Sequence, residues 1–465
     1  MPDLVRLSLA EAAELIRRRQ ISPLELTEAV MTRIDRLQPV LNAFTTLAPR
    51  EEILAAARAA ETEIARGSYR GLLHGIPVSV KDLIDTGGLR TTYGSGMFRD
   101  HVPAKDGAIP ERLRAAGAVI TGKTATHELG KGITTNNHFF GTTRNPWNLE
   151  HVPGGSSGGA GAATAACMGP LHIGTDGGGS IRFPAAFCGV TALKPTLGLI
   201  SNRGQFGGAG SSFSVPGPMT RGVRDAALAA QALAGFDAGY TYSRPGPVPD
   251  LVGSLEAGVC GLRVGTSPDL LVPPPEPAVQ TAYEATLRRL EGLGARLVQV
   301  RLPHHELVVR CIMALFNVEG SLQLDALLGD RPRVFSPQVQ RLNDLSQPPD
   351  VAGCLRLQQN RQLVCRDYQA AFCDADVIVL PVAPIPAPRI DADEMRDAAR
   401  CTANTGAANL NGMPAVPLPA GVTGGLPIAV QILAPVGADA LALRVAYTLE
   451  QAAPEHRVQA PPLDL

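Results

Sequence analysis

The sequence has few lysines and no recognisable metal-binding motif. Only five of its 465 residues are lysine, at positions 81, 105, 123, 131 and 194. The HExxH pattern of zinc hydrolases is absent, and no Cys/His cluster has the spacing of zinc ligands. The sequence therefore gives no indication of a metal site, and each lysine can be examined as a candidate base.

An excess of charge and long apolar runs are also absent. The formal net charge is −1, which argues against bulk electrostatic attraction to nucleic acid or to an anionic membrane. No stretch reaches the roughly 18 unbroken apolar residues of a membrane span, and no apolar secretion signal opens the chain. The eight cysteines form no CxxC pair and mostly lie among small or apolar residues, as reduced core cysteines do. We expect a soluble, cytoplasmic protein.

Helical and strand-like segments alternate along the chain, which is typical of an α/β fold with one large sheet. Residues 7–66 are predicted to be helical, with capping boxes at Ser8 and at Ser22. Further helices are predicted near 107–116, 158–167, 222–234, 277–293 and 438–452. Strands are predicted near 75–80, 118–121, 171–174, 189–193, 262–264, 297–300, 377–381 and 426–432.

Two glycine-rich loops, at 154–159 and 177–180, dominate the stretch 153–196. Glycine lacks a Cβ and is used where the backbone bends sharply or approaches another group closely. Each loop also carries serine, whose hydroxyl is a nucleophile when a base activates it. We hypothesise that the two loops meet in space and form a catalytic centre.

Three other motif patterns compete with this hypothesis. Residues 117–124 match the P-loop expression GxxxxGK[ST], but the variable positions resemble a strand, so phosphate binding is rejected. Residues 154–158 match the GxSxG elbow, which requires a buried strand before it and a histidine and an acid after it. The segment 148–153 makes a poor strand, so an α/β-hydrolase-type esterase using Ser156 stays a minor alternative. No lysine follows a serine by three residues, which excludes the SxxK class.

What remains is a serine centre without histidine, in which Lys81 is the candidate base. The motifs GGSSGGAGAATAA, TDGGGSIRFPAAFCGVTALKPT and PVSVKD closely resemble those of the amidase signature family. The likeness extends to residues 141–148 and 425–431, and so covers essentially the whole chain. It implies one amidase domain over 1–465, with a central mixed β-sheet covered by helices. Its expected parts are an N-terminal helical segment 1–70, a signature core 71–240 and a C-terminal substrate-pocket portion 255–465.

The resemblance implies a Ser–cisSer–Lys triad. Ser180 matches the nucleophile, and Lys81 matches the base. Ser156, after a cis peptide bond from Gly155, matches the residue that relays the proton between them. Lysine accepts a proton only when it is neutral, which burial favours by lowering its pKa. No metal or organic cofactor is needed for this chemistry.

The resemblance also assigns the surroundings of the nucleophile. The oxyanion hole would consist of backbone N–H groups, those of Gly177, Gly178, Gly179 and Ser180. Supporting or substrate-binding residues would be Ser157, Thr175, Asp176 and Arg182, although Ser157 is equally well explained as a turn residue. Gly177 departs from the family, in which threonine or a larger apolar residue is usual. We expect this glycine to loosen the loop or to widen the pocket.

We expect structural roles or pocket contacts for the other polar residues. Lys131 is expected to be solvated, and Asp82 to cap a helix. Lys123 and Lys194 are expected to cap strands or pair with acids. The pocket walls are expected from the segments 132–139, 310–325 and 402–411, with Arg310, Glu319 and Asn411 as candidate polar contacts.

These observations together predict an amidase that hydrolyses the C–N bond of a small-molecule amide through an acyl-enzyme. Ureido, aliphatic and aryl amides all stay open, and a homodimer is a reasonable expectation. The main alternative is the glutaminase component of a tRNA-dependent amidotransferase, which works with a partner protein. The chain has Thr126, His127, Glu128 and Leu129 where a DEF-like segment is expected for that component. A catalytically inactive binding member of the family is a further alternative.

Overall fold

The computed structural model describes residues 3–207, 211–345, 349–457 and 461. Within these residues the chain forms thirteen α-helices and thirteen β-strands. The helices are α1 (Leu9–Arg17), α2 (Pro23–Leu41), α3 (Arg50–Ala65), α4 (Ala108–Ala115), α5 (Gly158–Ala165), α6 (Arg182–Cys188), α7 (Val223–Leu233), α8 (Pro277–Gly292), α9 (Val308–Leu328), α10 (Pro337–Leu345), α11 (Val351–Asp374), α12 (Glu394–Asn411) and α13 (Asp439–Ala452). The strands are β1 (Phe44–Leu47), β2 (Pro77–Lys81), β3 (Val119–Thr124), β4 (Asn136–Asn137), β5 (Gly141–Thr142), β6 (Leu171–Asp176), β7 (Thr191–Ala192), β8 (Val215–Thr220), β9 (Arg263–Thr266), β10 (Arg296–Gln299), β11 (Val377–Pro381), β12 (Ala415–Thr423) and β13 (Leu426–Leu433).

The helical N-terminal segment begins as its capping signals predict. Ser8 and Glu11 form a reciprocal capping box at the start of α1, and Ser22 and Glu25 form another at the start of α2. The prediction of helix throughout 7–66 is wrong between α2 and α3, because β1 lies there and pairs antiparallel with β3. The strand β3 begins at Val119 and covers three of the four variable positions of the rejected P-loop match, which confirms that they form a strand.

Eleven of the strands form two mixed sheets that meet at one bridge, and β4 and β5 pair with each other as a separate two-stranded sheet. The first has the order β1-β3-β2-β6-β8-β7, and the second has the order β10-β9-β11-β13-β12. Lys194, after β7, and Ala415, at the start of β12, exchange two backbone hydrogen bonds of 2.9 Å each. Pro195 follows Lys194 and Pro414 precedes Ala415, and proline has no N–H with which to extend this ladder. The predicted central mixed sheet is therefore present as two parts that are joined edge to edge at this pair.

Several elements were not predicted, and their composition explains why. The strands β8 and β12 each contain two prolines, a residue that argues against a central strand. The helix α12 is rich in buried alanine, threonine and asparagine, so it lacks the apolar stripe of an amphipathic helix. The helices α10 and α11 also escaped prediction.

Within the described residues, the segment His305–Leu328, which contains α9, is long and apolar enough to cross a membrane by length and composition alone. Val308, Cys311, Ile312 and Leu315 of this helix pack into a core with residues of α11, α12 and the second sheet. The apolar composition of α9 is accounted for by this packing and by its position at the site described below.

The eight cysteines are all free, and only part of the prediction about their burial is right. Cys188, Cys311 and Cys401 are buried, as expected for core cysteines. Cys260 and Cys373 are exposed.

The topology brings the two glycine-rich loops and Lys81 to one place. The strands β2 and β6 are parallel neighbours, so Lys81 at the end of β2 and Asp176 at the end of β6 reach the same edge of the sheet. The loop 177–180 follows β6, and the loop 154–159 leads into α5, which packs on α6 and β6. Carboxyl ends of neighbouring parallel strands are a common location for binding sites.

Candidate active site

Lys81 is completely buried and contacts three hydroxyl groups. Its Nζ lies 2.7 Å from Ser156 Oγ, 2.8 Å from Ser157 Oγ and 2.9 Å from Thr175 Oγ1. Burial lowers the pKa of Lys81 well below its usual value, and the nearby charge of Asp176 opposes this only in part. A lysine in this environment can be a neutral amine that accepts a proton from Ser156.

The loop that carries Ser156 is fixed by close backbone packing. The Gly155–Ser156 peptide bond is cis. A Cβ on Gly155 would lie 2.7 Å from the carbonyl carbon of Ile133 and 2.7 Å from the backbone nitrogen of Thr134, so no side chain fits there. Ser157 donates its backbone N–H to the Ser180 carbonyl oxygen at 3.1 Å, which joins the two glycine-rich loops.

Ser180 lies at the boundary of the protein interior and a cavity. Its side chain is nearly buried, and Ser156 lines the same cavity. Its loop is shaped by Asp176, whose carboxylate accepts the N–H of Gly179 at 2.8 Å and that of Ile181 at 3.1 Å. The structure thus brings Lys81, Ser156 and Ser180 to one site.

The expected set of oxyanion-hole donors needs one correction. The N–H of Gly179 points at Asp176 Oδ1, so it is already engaged and is not available to a substrate oxygen. In the part of the chain that the structure describes, the N–H groups of Gly177, Gly178 and Ser180 donate no hydrogen bond. Three of the four expected donors are therefore free.

Asp176 and Arg182 form a fully buried ion pair behind the loop. Arg182 Nη2 lies 2.9 Å from Asp176 Oδ1, and both side chains are fully shielded from solvent. Burial alone would raise the pKa of Asp176, but the charge and hydrogen bonds of Arg182 outweigh it and hold this pKa below its ordinary range. The remaining Arg182 donors bind further polar partners, namely the Thr405 carbonyl oxygen, Gln431 Oε1 and Asn409 Oδ1.

The residues that complete this polar network were missed by the sequence interpretation. Asn409 on α12 donates to the Asp176 carbonyl oxygen at 2.9 Å and to Asp176 Oδ1 at 3.0 Å. Thr405 donates to the carbonyl oxygen of Gly178. Gln431 lies within the 425–431 segment that resembles the family, and that likeness was the signal that could have found it.

Two cavities meet at Ser180. Both are lined by Gly130, Lys131, Ser180 and Phe316. Further residues line only one of them, namely Phe206, Phe213, Glu319 and Leu324 in the first and Ile133, Ile312, Met313, Glu394 and Thr402 in the second. The expected wall segments 132–139, 310–325 and 402–411 all contribute, and Glu319 lines the first cavity. Arg310 and Asn411 line neither.

The wider pocket expected of Gly177 is not found, whereas the expected loosening of the loop stays a prediction. A Cβ on Gly177 would lie 2.7 Å from Phe316 Cζ and 3.2 Å from Phe213 Cε2. The space that a side chain would fill is therefore taken by the two aromatic rings, whose centroids are 4.9 Å apart in an edge-to-face arrangement. Gly177 admits Phe316 to the site and does not widen the pocket.

Other polar residues also differ from expectation. Asp82 does not cap a helix: it accepts hydrogen bonds from the N–H and the hydroxyl of Thr92, and burial raises its pKa to about 6. Lys123 and Lys194 lie within or next to strands, as the first of their two expected roles requires, and they do not pair with acids. Both donate to backbone carbonyls, and Lys123 also donates to Thr86 Oγ1. Lys131 is not simply solvated, because it lines both cavities and burial lowers its pKa to about 8.

The histidines occupy other positions. His172 Nδ1 lies 2.6 Å from Ser79 Oγ, and burial lowers its pKa to about 3. His304 contacts Asp367 at 3.1 Å. Among the described residues no histidine side chain bonds Ser156, and no strand immediately precedes the 154–158 loop. The geometry therefore does not fit the minor alternative of an α/β-hydrolase elbow at Ser156.

The chain is similar to known proteins over nearly its whole length. One is the A component of the glutamyl-tRNA(Gln) amidotransferase of Roseiflexus castenholzii, which is 40% identical over 461 residues, with 93% of each chain covered. The chain is 28% identical, with a TM-score of 0.89 and 96% of each chain covered, to a bacterial aryl acylamidase of the amidase signature family. A chain from a vestigial complex that reveals the origins of an s-triazine catabolic enzyme is 32% identical, with a TM-score of 0.90, covering 97% of this chain and 100% of that one.

These similarities and the fold define the class of the protein as an amidase-type enzyme that acts on amide C–N bonds. The model of the family described as Amidase matches residues 25–443. The chain belongs to this amidase family, and its α/β fold is the amidase signature fold.

Proposed function

We propose that the protein hydrolyses a small carboxylic amide through an acyl-enzyme on Ser180. The observation that carries this proposal is the 2.7 Å contact between the buried Lys81 Nζ and Ser156 Oγ beside the loop of Ser180. A serine hydroxyl is a weak nucleophile until a neighbouring base takes its proton. Lys81 is the candidate base because its environment favours the neutral amine.

The reaction follows in two halves. Ser180 Oγ attacks the amide carbonyl carbon while its proton passes to Ser156, and the proton of Ser156 passes to Lys81. The negative charge on the substrate oxygen is stabilised by the N–H groups of Gly177, Gly178 and Ser180, and one such donor is typically worth about 10²–10³ in rate. The C–N bond then breaks as the proton returns through Ser156 to the leaving nitrogen.

Water completes the cycle by the same route. It attacks the ester of Ser180 while its proton passes through Ser156 to Lys81. The ester C–O bond breaks, Ser180 recovers its proton through the same pair, and the carboxylic acid leaves. Every proton taken up in one half is returned, so no external oxidant, reductant or metal enters the balance.

The side chains that line the two cavities favour a substrate with apolar groups on both sides of Ser180. Phe206 and Phe213 line the first cavity, Ile312 and Met313 line the second, and Phe316 stands between them. Apolar lining with a few polar groups is typical of small-molecule sites. We also propose a cytoplasmic location, which agrees with eight cysteines that are all free.

A second candidate function is supported by the identity to curated relatives. The A components of the glutamyl-tRNA(Gln) amidotransferases of Roseiflexus castenholzii and of Geobacter metallireducens are 40% and 38% identical to the chain. In this alternative the same site releases ammonia from glutamine and works with a protein partner. Glutamine-dependent ammonia release together with co-purification of a second protein favours this function, whereas turnover of other amides by the isolated chain favours the first.

The test of the main proposal is acylation of Ser180. We expect a serine-directed phosphonate to add its mass to the wild-type chain at the peptide containing Ser180, and Ser180→Ala to remove both this label and all amide turnover. Ser68→Ala, at an exposed serine, is the matched control and should be labelled and active like the wild type. Retained turnover in Ser180→Ala would overturn the proposal.

A further inference from the structure

Lys131 is a second lysine at the Ser180 site, and the proton relay does not use it. It lies on the loop after the Glu128–Gly130 turn and lines both cavities that meet at Ser180. Its Nζ lies 3.2 Å from Asn317 Oδ1 on α9 and 2.8 Å from Asn343 Oδ1 on α10. An ammonium group has three N–H donors, so these two bonds leave one donor without an acceptor in the described residues.

In the described part of the chain Lys131 forms no ion pair, although the charge of Glu128, whose oxygens accept from Ser95 and Ser336, acts on it. Among the described residues, the other charged side chains that line the two cavities are those of Glu319 and Glu394. Glu319 accepts the N–H of Ser212 at 3.1 Å and its hydroxyl at 2.7 Å. Glu394 accepts the N–H of Ile133 at 2.8 Å and the side-chain amide of Gln338. Both carboxylates are therefore engaged elsewhere, and neither forms an ion pair with Lys131.

A partly buried lysine ammonium is energetically unfavourable unless a negative charge or hydrogen-bond acceptors compensate its charge. Removing a charge from water is unfavourable, and neutral amide oxygens compensate it less well than a carboxylate does. Burial accordingly lowers the pKa of Lys131 to about 8, while the charge of Glu128 opposes this shift. The group still carries its charge at neutral pH, next to a nucleophile whose base must be neutral.

We propose that Lys131 binds a carboxylate of the substrate, so that the preferred substrates are amides that carry a carboxylate group. This inference rests on the proposed amide hydrolysis at Ser180 and names the substrate class for it. The carboxylate would take the free donor of Lys131 and supply the missing counter-charge. The apolar walls formed by Phe316 and Ile312 would contact the carbon chain between the carboxylate and the amide.

The experiment compares pairs of amides that differ in one charge. The half-amides of malonic, succinic, glutaric and adipic acids are each measured beside the neutral diamide, and 4-acetamidobenzoate is measured beside acetanilide. The first series places the carboxylate on the acyl part, and the last pair places it on the amine part. We expect at least one pair to show a preference of about tenfold or more in kcat/KM for the anionic member, the scale of one charge-assisted hydrogen bond.

The variants separate charge from packing. Lys131→Met and Lys131→Gln should lower this preference about 10- to 100-fold, although glutamine still offers a hydrogen-bond donor. Lys131→Arg should keep most of the preference, because it keeps the charge. Lys105→Met, at an exposed lysine, should keep all of it.

The outcomes distinguish the inference from the function on which it rests. If Ser180→Ala still hydrolyses these amides, the proposed function itself fails. If Ser180→Ala is inactive but the wild type prefers no anionic member, the inference alone is overturned. It is also overturned if Lys131→Met and Lys131→Gln keep the wild-type preference.

Discussion

Phe316 occupies the space that a side chain at position 177 would need. The Cβ position of Gly177 lies 2.7 Å from Phe316 Cζ, closer than a carbon–carbon contact permits. Gly177 immediately follows β6 and has a free N–H, whereas Phe316 belongs to α9 and lines both cavities at Ser180. The loop that carries Ser180 and the helix α9 can therefore pack this closely only because residue 177 has no side chain.

Gly177→Ala should therefore destabilise the protein and impair the site. We expect a loss of about 1–3 kcal/mol in the free energy of unfolding, because a methyl group is forced into a filled space. We also expect a fall in kcat/KM as Phe316 is displaced. Urea unfolding and amide turnover measure the two effects.

Two further variants test the cause. Gly292→Ala is the matched control, because nothing lies within 4 Å of the Cβ it would add at the end of α8, and it should not destabilise the chain. Phe316→Ala combined with Gly177→Ala should destabilise less than the sum of the two single changes, since the contact exists only when both side chains are present. If the losses in the free energy of unfolding of the two single variants simply add up in the double variant, this explanation is contradicted.

Lys81→Met should abolish turnover while the fold persists. Methionine fills a similar volume but accepts no proton, so we expect kcat to fall at least about 10²–10⁴-fold, the usual range for general acid–base catalysis. In the wild type, kcat/KM should fall as the pH decreases through the lowered pKa of Lys81, because protonation removes the base. Steady-state kinetics over pH with Lys105→Met as the control tests both statements. Unchanged kcat in Lys81→Met would exclude Lys81 as the base.

The strand that ends in Lys81 and the two serine loops each have a local sequence signal, whereas their roles at one site were expected from the resemblance to the amidase signature family. A short apolar strand that ends in Lys81 and two loops whose glycines permit close approach are visible in the letters of the sequence. The pairing of β2 with β6 then brings these segments together. The capping boxes of α1 and α2 are similarly local, and both are present.

The interactions that join distant segments could not be predicted in this way. Arg182 and Asn409 are 227 positions apart, and neither has a neighbouring pattern that names the other. Lys131 is flanked by glycines in a polar loop, and it looks solvated until α9 and α10 are packed over it. Gly177 gives a wrong expectation for the same reason, because its space is filled by a ring from α9.

Arg182→Met should be strongly destabilising, because it leaves Asp176 buried without its counter-charge. We expect a loss of about 3–5 kcal/mol in the free energy of unfolding, the range for breaking one side of a buried ion pair. Arg50→Met is the control: its bond to Asp35 is a comparable 2.7 Å, but both side chains are about half exposed, so the loss should stay below about 1 kcal/mol. Similar losses in the two variants would contradict the assignment.

The Asp176–Arg182 ion pair also predicts how the free energy of unfolding depends on pH. The pKa of Asp176 is lower in the folded chain than its ordinary value of 3.8, so the folded state holds the carboxylate more strongly than the unfolded state does. This contribution is fully present well above pH 3.8 and is lost as the pH falls from there towards the folded pKa. Denaturant unfolding between pH 3 and pH 6 should show a steeper loss in the wild type than in an Arg182→Met, Asp176→Asn double variant. If the free energy of unfolding falls equally with pH in the wild type and in the double variant, Asp176 is excluded as a source of this pH dependence.

The preference for anionic amides should disappear as Lys131 loses its proton. Its pKa of about 8 means that it is charged at neutral pH and neutral well above pH 8, whereas a substrate carboxylate stays ionised over this whole range. The acidic groups that face Lys131 from the neighbouring elements are Glu128, Glu319 and Glu394. The ratio of kcat/KM for glutaramate over glutaramide should therefore decline between pH 7 and pH 9. Taking the ratio removes any titration of the base Lys81, because both substrates depend on it equally. The ratio in Lys131→Arg should stay constant over this interval, since arginine remains protonated, and a decline there equal to that of the wild type would assign the titration to another group.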